Sequence, residues 1–181
     1  MDAKTRTTFE TLHTGDAEAQ YAAFDALVKA TDEPVHWAYE VWDELVADLR
    51  HKDPHWRARA TQLLCGLAKS DPKGRMLKDF DAVMAVTRDE KFVTARHTLQ
   101  AAWKVGLAGK KQQKLVVDRL AARFADCEKE KNCTLIRYDI MVDLRQLYDA
   151  VKDERIKTKA LALMETEPDP KYRKKYGTQW R

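Results

Sequence analysis

Long apolar runs are missing from this sequence of 181 residues, and none approaches the ~18 residues that a membrane-spanning helix requires. Glycine and proline are scarce, with 6 and 5 residues. Isoleucine occurs only three times and alternating strand patterns are absent, whereas alanine and leucine recur at helical spacing. These shortages argue against a membrane-embedded chain and against a β-rich fold, and they indicate an all-α protein.

Cysteine is also rare, at residues 65, 127 and 133. An odd and sparse count argues against a disulfide framework. Cys127 and Cys133 lie six residues apart with no histidine nearby, so we expect no zinc site there. Cys65 lies in an apolar run and is predicted to be buried.

The usual catalytic motifs are absent: there is no P-loop, no GxSxG and no HExxH. Serine occurs once, at Ser70, which excludes most serine-nucleophile mechanisms. His51 and His55 have a metal-like spacing, but Pro54 between them breaks a helix and favours a turn. We therefore expect a protein that is not an enzyme and that uses no cofactor and no metal.

The positive charge is unevenly distributed. The formal net charge is +4, but the last eleven residues, KYRKKYGTQWR, hold five basic residues and no acidic ones. Residues 1 to 170 carry 28 basic and 29 acidic residues, a net charge of −1. A nearly neutral body weakens the hypothesis that the whole chain binds nucleic acid.

Length and composition predict a single helical domain over residues 1–181, long enough to bury a core. With 44% hydrophobic and 34% charged residues, the chain is typical of an ordered globular protein. The start, MDAKTRTTFETLHTGD, lacks the apolar segment of a signal peptide. We therefore expect a cytoplasmic protein with no membrane partner.

Asp-Pro pairs at Asp53-Pro54 and Asp71-Pro72 predict helix starts, because Asp accepts bonds from free N–H groups and Pro lacks a donor. Together with Pro34, they place boundaries 18 to 20 residues apart. Apolar spacing then predicts eight helices, at about 16–30, 34–50, 54–69, 73–87, 90–107, 110–126, 133–150 and 154–166.

An arginine following an apolar residue recurs at the length of a helix pair. Arg57, Arg96 and Arg137 are 39 and 41 residues apart, and each precedes two variable residues and another apolar one. A period near 40 predicts a repeated two-helix unit.

The stretch DPHWRARATQLL, residues 53–64, resembles the second helix of a HEAT repeat, and residues 153–160 look similar. The resemblance covers about residues 16–166 and implies an all-α, right-handed α-α superhelix, a HEAT-like (armadillo-like) repeat solenoid of about four antiparallel helix pairs. Second helices would line its concave face. The motif specifies architecture rather than activity.

In HEAT-like repeats the recurrent arginine is usually structural, pairing with acidic residues of neighbouring repeats. Asp53, Asp89 or Glu90, and Asp153 are the partners we expect for Arg57, Arg96 and Arg137. The alternative is a basic ladder for phosphates, because guanidinium groups bind phosphate in a bidentate way.

Other polar residues fall on or near the polar sides of the second helices. They are our candidates for a ligand surface, the alternative being a solvated face. These candidates are Arg59, Gln62, His97, Gln100, Tyr138 and Arg145.

The aromatic residues divide into core and surface candidates. Trp37 is in register with an apolar stripe and is predicted to be core, as are Trp56 and Trp103. Tyr39 and Trp42 point elsewhere, and we expect them to be partly exposed.

The C-terminal segment, residues 167–181, is either a cap or a ligand-binding tail. Basic and aromatic residues alternate there, which suits nucleic acid. Tyr172, Tyr176 and Trp180 lie four apart, which would also suit a cap over the last repeat. The candidate ligand residues are Lys171, Arg173, Lys174, Lys175, Tyr176 and Trp180.

These features predict a non-catalytic binding scaffold that recognises a protein partner through its second helices. The alternative is a nucleic-acid-binding protein related to the HEAT-like alkylpurine DNA glycosylases, which hold DNA on a basic concave face with exposed Trp, Asp and Arg. Their aromatic-acid pair has no clear counterpart: Trp42 and Asp43 are adjacent but point about 100° apart on a helix.

Overall fold

A computed structural model describes residues 1–180 as helices joined by turns, and this part of the chain contains no β-strand. Ten α-helices follow one another, several of them ending in a short 3₁₀ turn. The helices are α1 (Ala3–Thr14), α2 (Ala17–Ala30), α3 (Ala38–Asp48), α4 (Pro54–Leu67), α5 (Met76–Ala85), α6 (Phe92–Ala102), α7 (Lys110–Asp126), α8 (Cys133–Val151), α9 (Glu154–Glu165) and α10 (Pro170–Gly177).

Aspartate carboxylates begin half of these helices, as the sequence predicted for Asp53. Asp53 accepts a bond from the His55 N–H at 2.8 Å, and Pro54 occupies the first turn. Asp2 and Asp16 cap α1 and α2 in the same way, at 2.7 and 2.9 Å. Each carboxylate satisfies an amide that has no partner within its helix.

The prediction that Asp71-Pro72 begins a helix is wrong. Gly74 adopts a left-handed conformation with φ +68°, which interrupts any helix from residue 73, and α5 starts only at Met76. The Asp71 carboxylate is buried and accepts bonds from the Met76 N–H at 2.7 Å and from the Tyr39 hydroxyl. Asp71 therefore binds the first amide of α5 from five residues upstream and links α5 to Tyr39 of α3.

Two helices lie outside the eight that were predicted. α1 precedes the first predicted helix, and α10 occupies the tail, where Asp169 caps and Pro170 opens the first turn. The predicted second helix also begins four residues late, at Ala38, because residues 35–37 form a turn against Ser70. The remaining helices match the prediction to within a few residues.

The even-numbered helices form one layer, in which each packs against the next even-numbered helix. α4 and α6 run in the same direction, since the contacts between them follow the same order along both helices. Thr94 bonds to the Pro54 carbonyl at the start of α4 and α6, and Thr61 contacts Thr98 one level further along, at 3.0 Å. The odd-numbered helices form a second layer that packs against the even-numbered helices. The apolar core lies between the two layers.

The recurrent arginines hold neighbouring elements together. The Arg57 side chain donates through Nε and Nη2 to both oxygens of Asp89, at 2.5 and 2.9 Å. It also donates to the His51 carbonyl at 2.8 Å, which ties the turn before α4 to the turn before α6. Burial of Asp89 opposes its ionisation, yet Arg57 and the Lys91 N–H outweigh it and hold its pKa below the ordinary value.

Arg96 and Arg137 follow the same principle with other partners. Arg96 forms a bidentate pair with Asp139 of α8, at 2.7 and 2.8 Å. Arg137 donates to Glu167, in the turn before α10, at 2.8 Å, and to the Phe124 carbonyl at 3.1 Å. We call these three contacts the arginine ladder.

The structural interpretation of these arginines therefore agrees with the contacts, and the phosphate ladder does not, because their guanidinium groups are occupied. Of the expected partners only Asp89 was right. Asp53 caps α4, and Asp153 caps α9 and pairs with Arg155 and Lys110 instead.

No helix in residues 1–180 is long and apolar enough to span a lipid bilayer.

Asp143 is a buried carboxylate in α8 that binds none of the arginines of the arginine ladder. It is fully buried, and neither of its oxygens has a hydrogen-bond partner among the described residues. Burial, and secondarily the neighbouring Asp139 charge, raises the pKa of Asp143 well above its ordinary value. The folded protein thus keeps a proton that the unfolded chain releases near pH 4.

Charge reversal at Arg57 should destabilise the protein. Arg57→Glu would leave the Asp89 carboxylate, which is 5% exposed, facing a second negative charge. We expect a loss of about 2–3 kcal/mol in unfolding free energy, measured by urea denaturation. Arg50→Glu, an exposed residue outside the ladder, is the control and should cost less than about 0.5 kcal/mol. Equal effects of the two substitutions would contradict the structural role.

Asp143→Asn should stabilise the protein at neutral pH. A carboxyl group whose pKa is raised on folding contributes stability below its unfolded pKa and loses it as the pH rises through the folded pKa. Wild type and variant should therefore match near pH 4 and differ by about 1–3 kcal/mol near pH 8. Thermal denaturation across this range is the measurement, with the exposed Asp118→Asn as control. Curves that stay parallel would contradict the prediction.

Candidate binding surface

The solvent-facing side chains of α4, α6 and α8 form a continuous strip on the layer of even-numbered helices, which we call the front surface. Arg59, Gln62, His97 and Gln100 lie on it, and it continues to Tyr138 and Arg145. His97 and Gln100 are exposed, and the other four are half-buried. All six predicted residues are therefore at least partly accessible to solvent.

Arg59 is held in a fixed orientation at one end of the front surface. Its Nη1 donates to Oε1 of Gln20 in α2 at 3.1 Å, and its guanidinium carbon lies 5.3 Å from the centre of the Trp56 ring. Trp56 stacks on His13 at 4.5 Å. Because this is its only hydrogen bond to residues 1–180, Arg59 retains donors that can reach a ligand.

The middle of the front surface is open. Neither the exposed His97 side chain nor the exposed Gln100 side chain forms a hydrogen bond to any described residue. Gln62 differs, since its Nε2 donates to the Ala58 carbonyl of its own helix at 3.1 Å. Gln62 thus keeps its carbonyl oxygen as an acceptor, whereas His97 and Gln100 keep both of their polar groups.

Tyr138 and Arg145 are covered by the C-terminal segment. Gln179 donates to the Tyr138 hydroxyl at 3.0 Å, and Lys175 Nζ lies 4.9 Å from the centre of the Tyr138 ring. Arg145 donates to the Gln179 carbonyl at 2.9 Å and to Asp149 at 2.7 Å. The candidate surface and the candidate tail therefore meet in one place, which the sequence did not indicate.

The tail packs against the protein through its aromatic residues. Tyr176 is fully buried, its hydroxyl donates to the Thr134 carbonyl at 3.0 Å, and burial raises its pKa well above the ordinary value. Tyr172 and Trp180 are half-buried, and Trp180 lies against Tyr148. Lys171, Lys174 and Lys175 are exposed, while Arg173 is half-buried near Glu165 at 3.6 Å. Arg181 lies outside the described residues.

The aromatic predictions are right for Trp37 and wrong for Trp42. Trp37 is buried, at 3% exposure. Trp42 is fully buried too, because its Nε1 donates to Asp79 at 2.8 Å and thus has a polar partner inside the protein. Tyr39 is half-buried, as expected. A buried Trp42 cannot serve as an exposed aromatic for a DNA base.

Trp56 and Trp103 were predicted to be core residues, but both are only half-buried. They pack against the core with part of their rings. One edge of Trp56 therefore contributes to the front surface beside Arg59, a feature that apolar spacing did not reveal.

The cysteine count argued against a disulfide framework, yet the structure joins Cys127 and Cys133 in one disulfide. Their Cα atoms are 5.1 Å apart across the loop between α7 and α8. Arg123 braces the same loop through Glu130, at 2.6 and 2.7 Å. Cys65 is buried as predicted, and burial raises its pKa well above the ordinary value, so it is not a reactive thiol.

A groove of about 570 Å³ between α7 and α9 was not foreseen. Its charged side chains pair with one another: Lys114 pairs with Asp118 at 2.5 Å, and Asp153 pairs with both Lys110 and Arg155. Within residues 1–180 no cluster of three His, Cys, Asp or Glu side chains could hold a metal ion. The groove is thus lined by three cations and two carboxylates, all of which take part in ion pairs.

The sequence matches no protein-family model and no curated protein.

Removing the tail should lower stability. Deletion of residues 171–181 exposes the apolar surface that Tyr176 covers, and losing a buried aromatic residue costs about 3–5 kcal/mol. We expect a fall in melting temperature of roughly 10 °C, measured by circular dichroism. The control replaces Lys171, Lys174 and Lys175 by Gln and should leave the melting temperature unchanged. An unaltered melting temperature after deletion would show that the segment does not act as a cap.

Proposed function

We propose that this protein is a non-catalytic binding scaffold, built as a right-handed HEAT-like solenoid, that holds a protein partner on its front surface. The single observation that supports the proposal most is the contrast between two sets of polar residues. The ladder arginines at 57, 96 and 137 are occupied by carboxylates, whereas Arg59, His97 and Gln100 on the same helices retain unused hydrogen-bonding groups.

The chemistry of the front surface suits a polypeptide. It carries hydrogen-bond donors and acceptors beside the edge of Trp56, without a dense array of free cations. Arg145 pairs with Asp149, and Lys104 pairs with Asp32 at 3.2 Å. A mixed surface of this kind suits amide and carboxylate groups of a partner better than a continuous phosphate backbone.

Nucleic acid binding is the second candidate, and the tail favours it. Lys171, Lys174 and Lys175 are exposed and form no ion pair with the described residues, and Lys175 lies beside Tyr138. Phosphate contacts from lysines would give an affinity that falls steeply with salt. DNA glycosylase activity is the enzymatic version of this alternative, but Trp42 is not available for it.

The test compares capture of partners by two matched variants. His97→Glu with Gln100→Glu alters the open middle of the front surface, and Ala122→Glu with Ala162→Glu places the same charges on exposed positions of α7 and α9. Proteins captured by the wild type and identified by mass spectrometry should fall about tenfold or more with the first variant, and remain with the second.

A duplex-DNA mobility shift at low salt runs beside the capture experiment. Binding of DNA that disappears when Lys171, Lys174 and Lys175 are replaced by Gln would support the second candidate. Proteins captured equally by both Glu variants would contradict a front-surface scaffold.

A further inference from the structure

The layer of even-numbered helices has two free edges. In this layer α2 packs principally against α4, and α10 packs principally against α8. Each inner helix has a neighbour on both sides, whereas α2 and α10 have one each. The outward sides of α2 and α10 are therefore the two ends of the layer.

The α2 edge is acidic. Its outward side carries Glu18, Tyr21 and Asp25, all exposed, on the face opposite the buried Ala23 and Leu27, and the exposed Lys29 follows Asp25 by one turn, so that two negative charges stand against one positive charge. Tyr21 is 71% exposed and lies between the two carboxylates, three residues after one and four before the other. Neither carboxylate forms an ion pair with any residue in 1–180, so their charge is not compensated within the described chain.

The α10 edge is basic. Lys171, Lys174 and Lys175 are exposed there, and none of them is within ion-pair distance of an acidic residue in the described chain. Lys171 and Lys175 instead lie near the rings of Tyr172 and Tyr138. Lys171 and Lys174 thus present uncompensated positive charge to solvent at this edge, whereas Lys175 lies against Tyr138 of α8 and remains exposed.

Negative and positive charges are separated along the whole sequence in the same direction as at the two edges. Residues 1–50 contain 11 acidic and 4 basic residues, a net charge of −7, whereas residues 51–181 contain 18 acidic and 29 basic residues, a net charge of +11. The total charge does not reveal this separation, because residues 1–170 together carry a net charge of only −1. Opposite ends of opposite sign attract one another in solution when the ionic strength is low.

We propose that the α10 edge of one copy docks on the α2 edge of a second copy, so that the chain associates head to tail. Lys171, Lys174 and Lys175 of one copy then face Glu18 and Asp25 of the next, with Tyr21 available to stack against the lysine stems. The contact joins two different surfaces and so is heterologous. α2 of the second copy continues the layer after α10 of the first.

The experiment is sedimentation velocity of the full chain at about 10 mM and about 150 mM salt, where the screening length falls from about 30 to about 8 Å. We expect the sedimentation coefficient to rise with protein concentration at low salt. The apparent dissociation constant should weaken about tenfold or more at the higher salt.

Charge exchange tests the two edges separately. Glu18→Lys with Asp25→Lys reverses the acidic edge, and replacing Lys171, Lys174 and Lys175 by Glu reverses the basic edge. Each variant alone should associate about tenfold more weakly than the wild type. An equimolar mixture of the two should associate again, because each then offers the other a complementary edge.

The matched control replaces Lys52, Lys78 and Lys111, exposed residues outside both edges, by Glu. It changes the net charge by the same amount as the basic-edge variant and should retain self-association. A wild type that stays monomeric at low salt would overturn the proposal. So would folded edge variants that associate like the wild type, or a mixture that does not recover association.

Discussion

The bidentate pairing of an arginine with a carboxylate 32 or 43 residues away is the interaction on which the layer of even-numbered helices depends. A guanidinium group bound through two N–H groups fixes both the distance and the rotation of its partner. Arg57 thereby aligns the starts of α4 and α6, and Arg96 aligns α6 with α8. Because this pairing fixes the position of α4 relative to α6, Arg59 and His97 both lie on the front surface.

The same pairing explains which residues of the arginine ladder could be predicted from the sequence. Arg57 and Arg137 follow local patterns that repeat, so their positions on helices were visible. The partner of Arg137 was not visible, because Glu167 is 30 residues away and only the turn before α10 brings it near. Asp139 looked like a variable surface residue, yet it is 3% exposed and binds Arg96.

Local signals failed where tertiary contacts overrode them. Asp53-Pro54 and Asp71-Pro72 are the same dipeptide, but Gly74 and the Tyr39 hydroxyl give the second one a different role. A third such dipeptide, Asp169-Pro170, does start a helix and could have revealed α10. Trp42 seemed free on a helical wheel, and only the neighbouring Asp79 of α5 supplied the partner that allows its burial.

The tail illustrates why one segment suggested two roles. Tyr176 is committed to the interior, so the aromatic spacing reflects packing. The lysines around it are free because a short helix at the end of a layer has an unpaired side. Packing and charge therefore occupy opposite faces of α10, and the segment can complete the core while presenting cations to a second surface.

A double-mutant cycle across Arg96 and Asp139 tests the central claim most directly, with Arg96→Ala, Asp139→Ala and the double variant compared in urea denaturation. If the ladder aligns the helices, the two residues should be coupled by at least about 1 kcal/mol, and the double variant should be less destabilised than the sum of the single ones. Strictly additive losses would show that the pair forms without organising the layer, and would contradict the account.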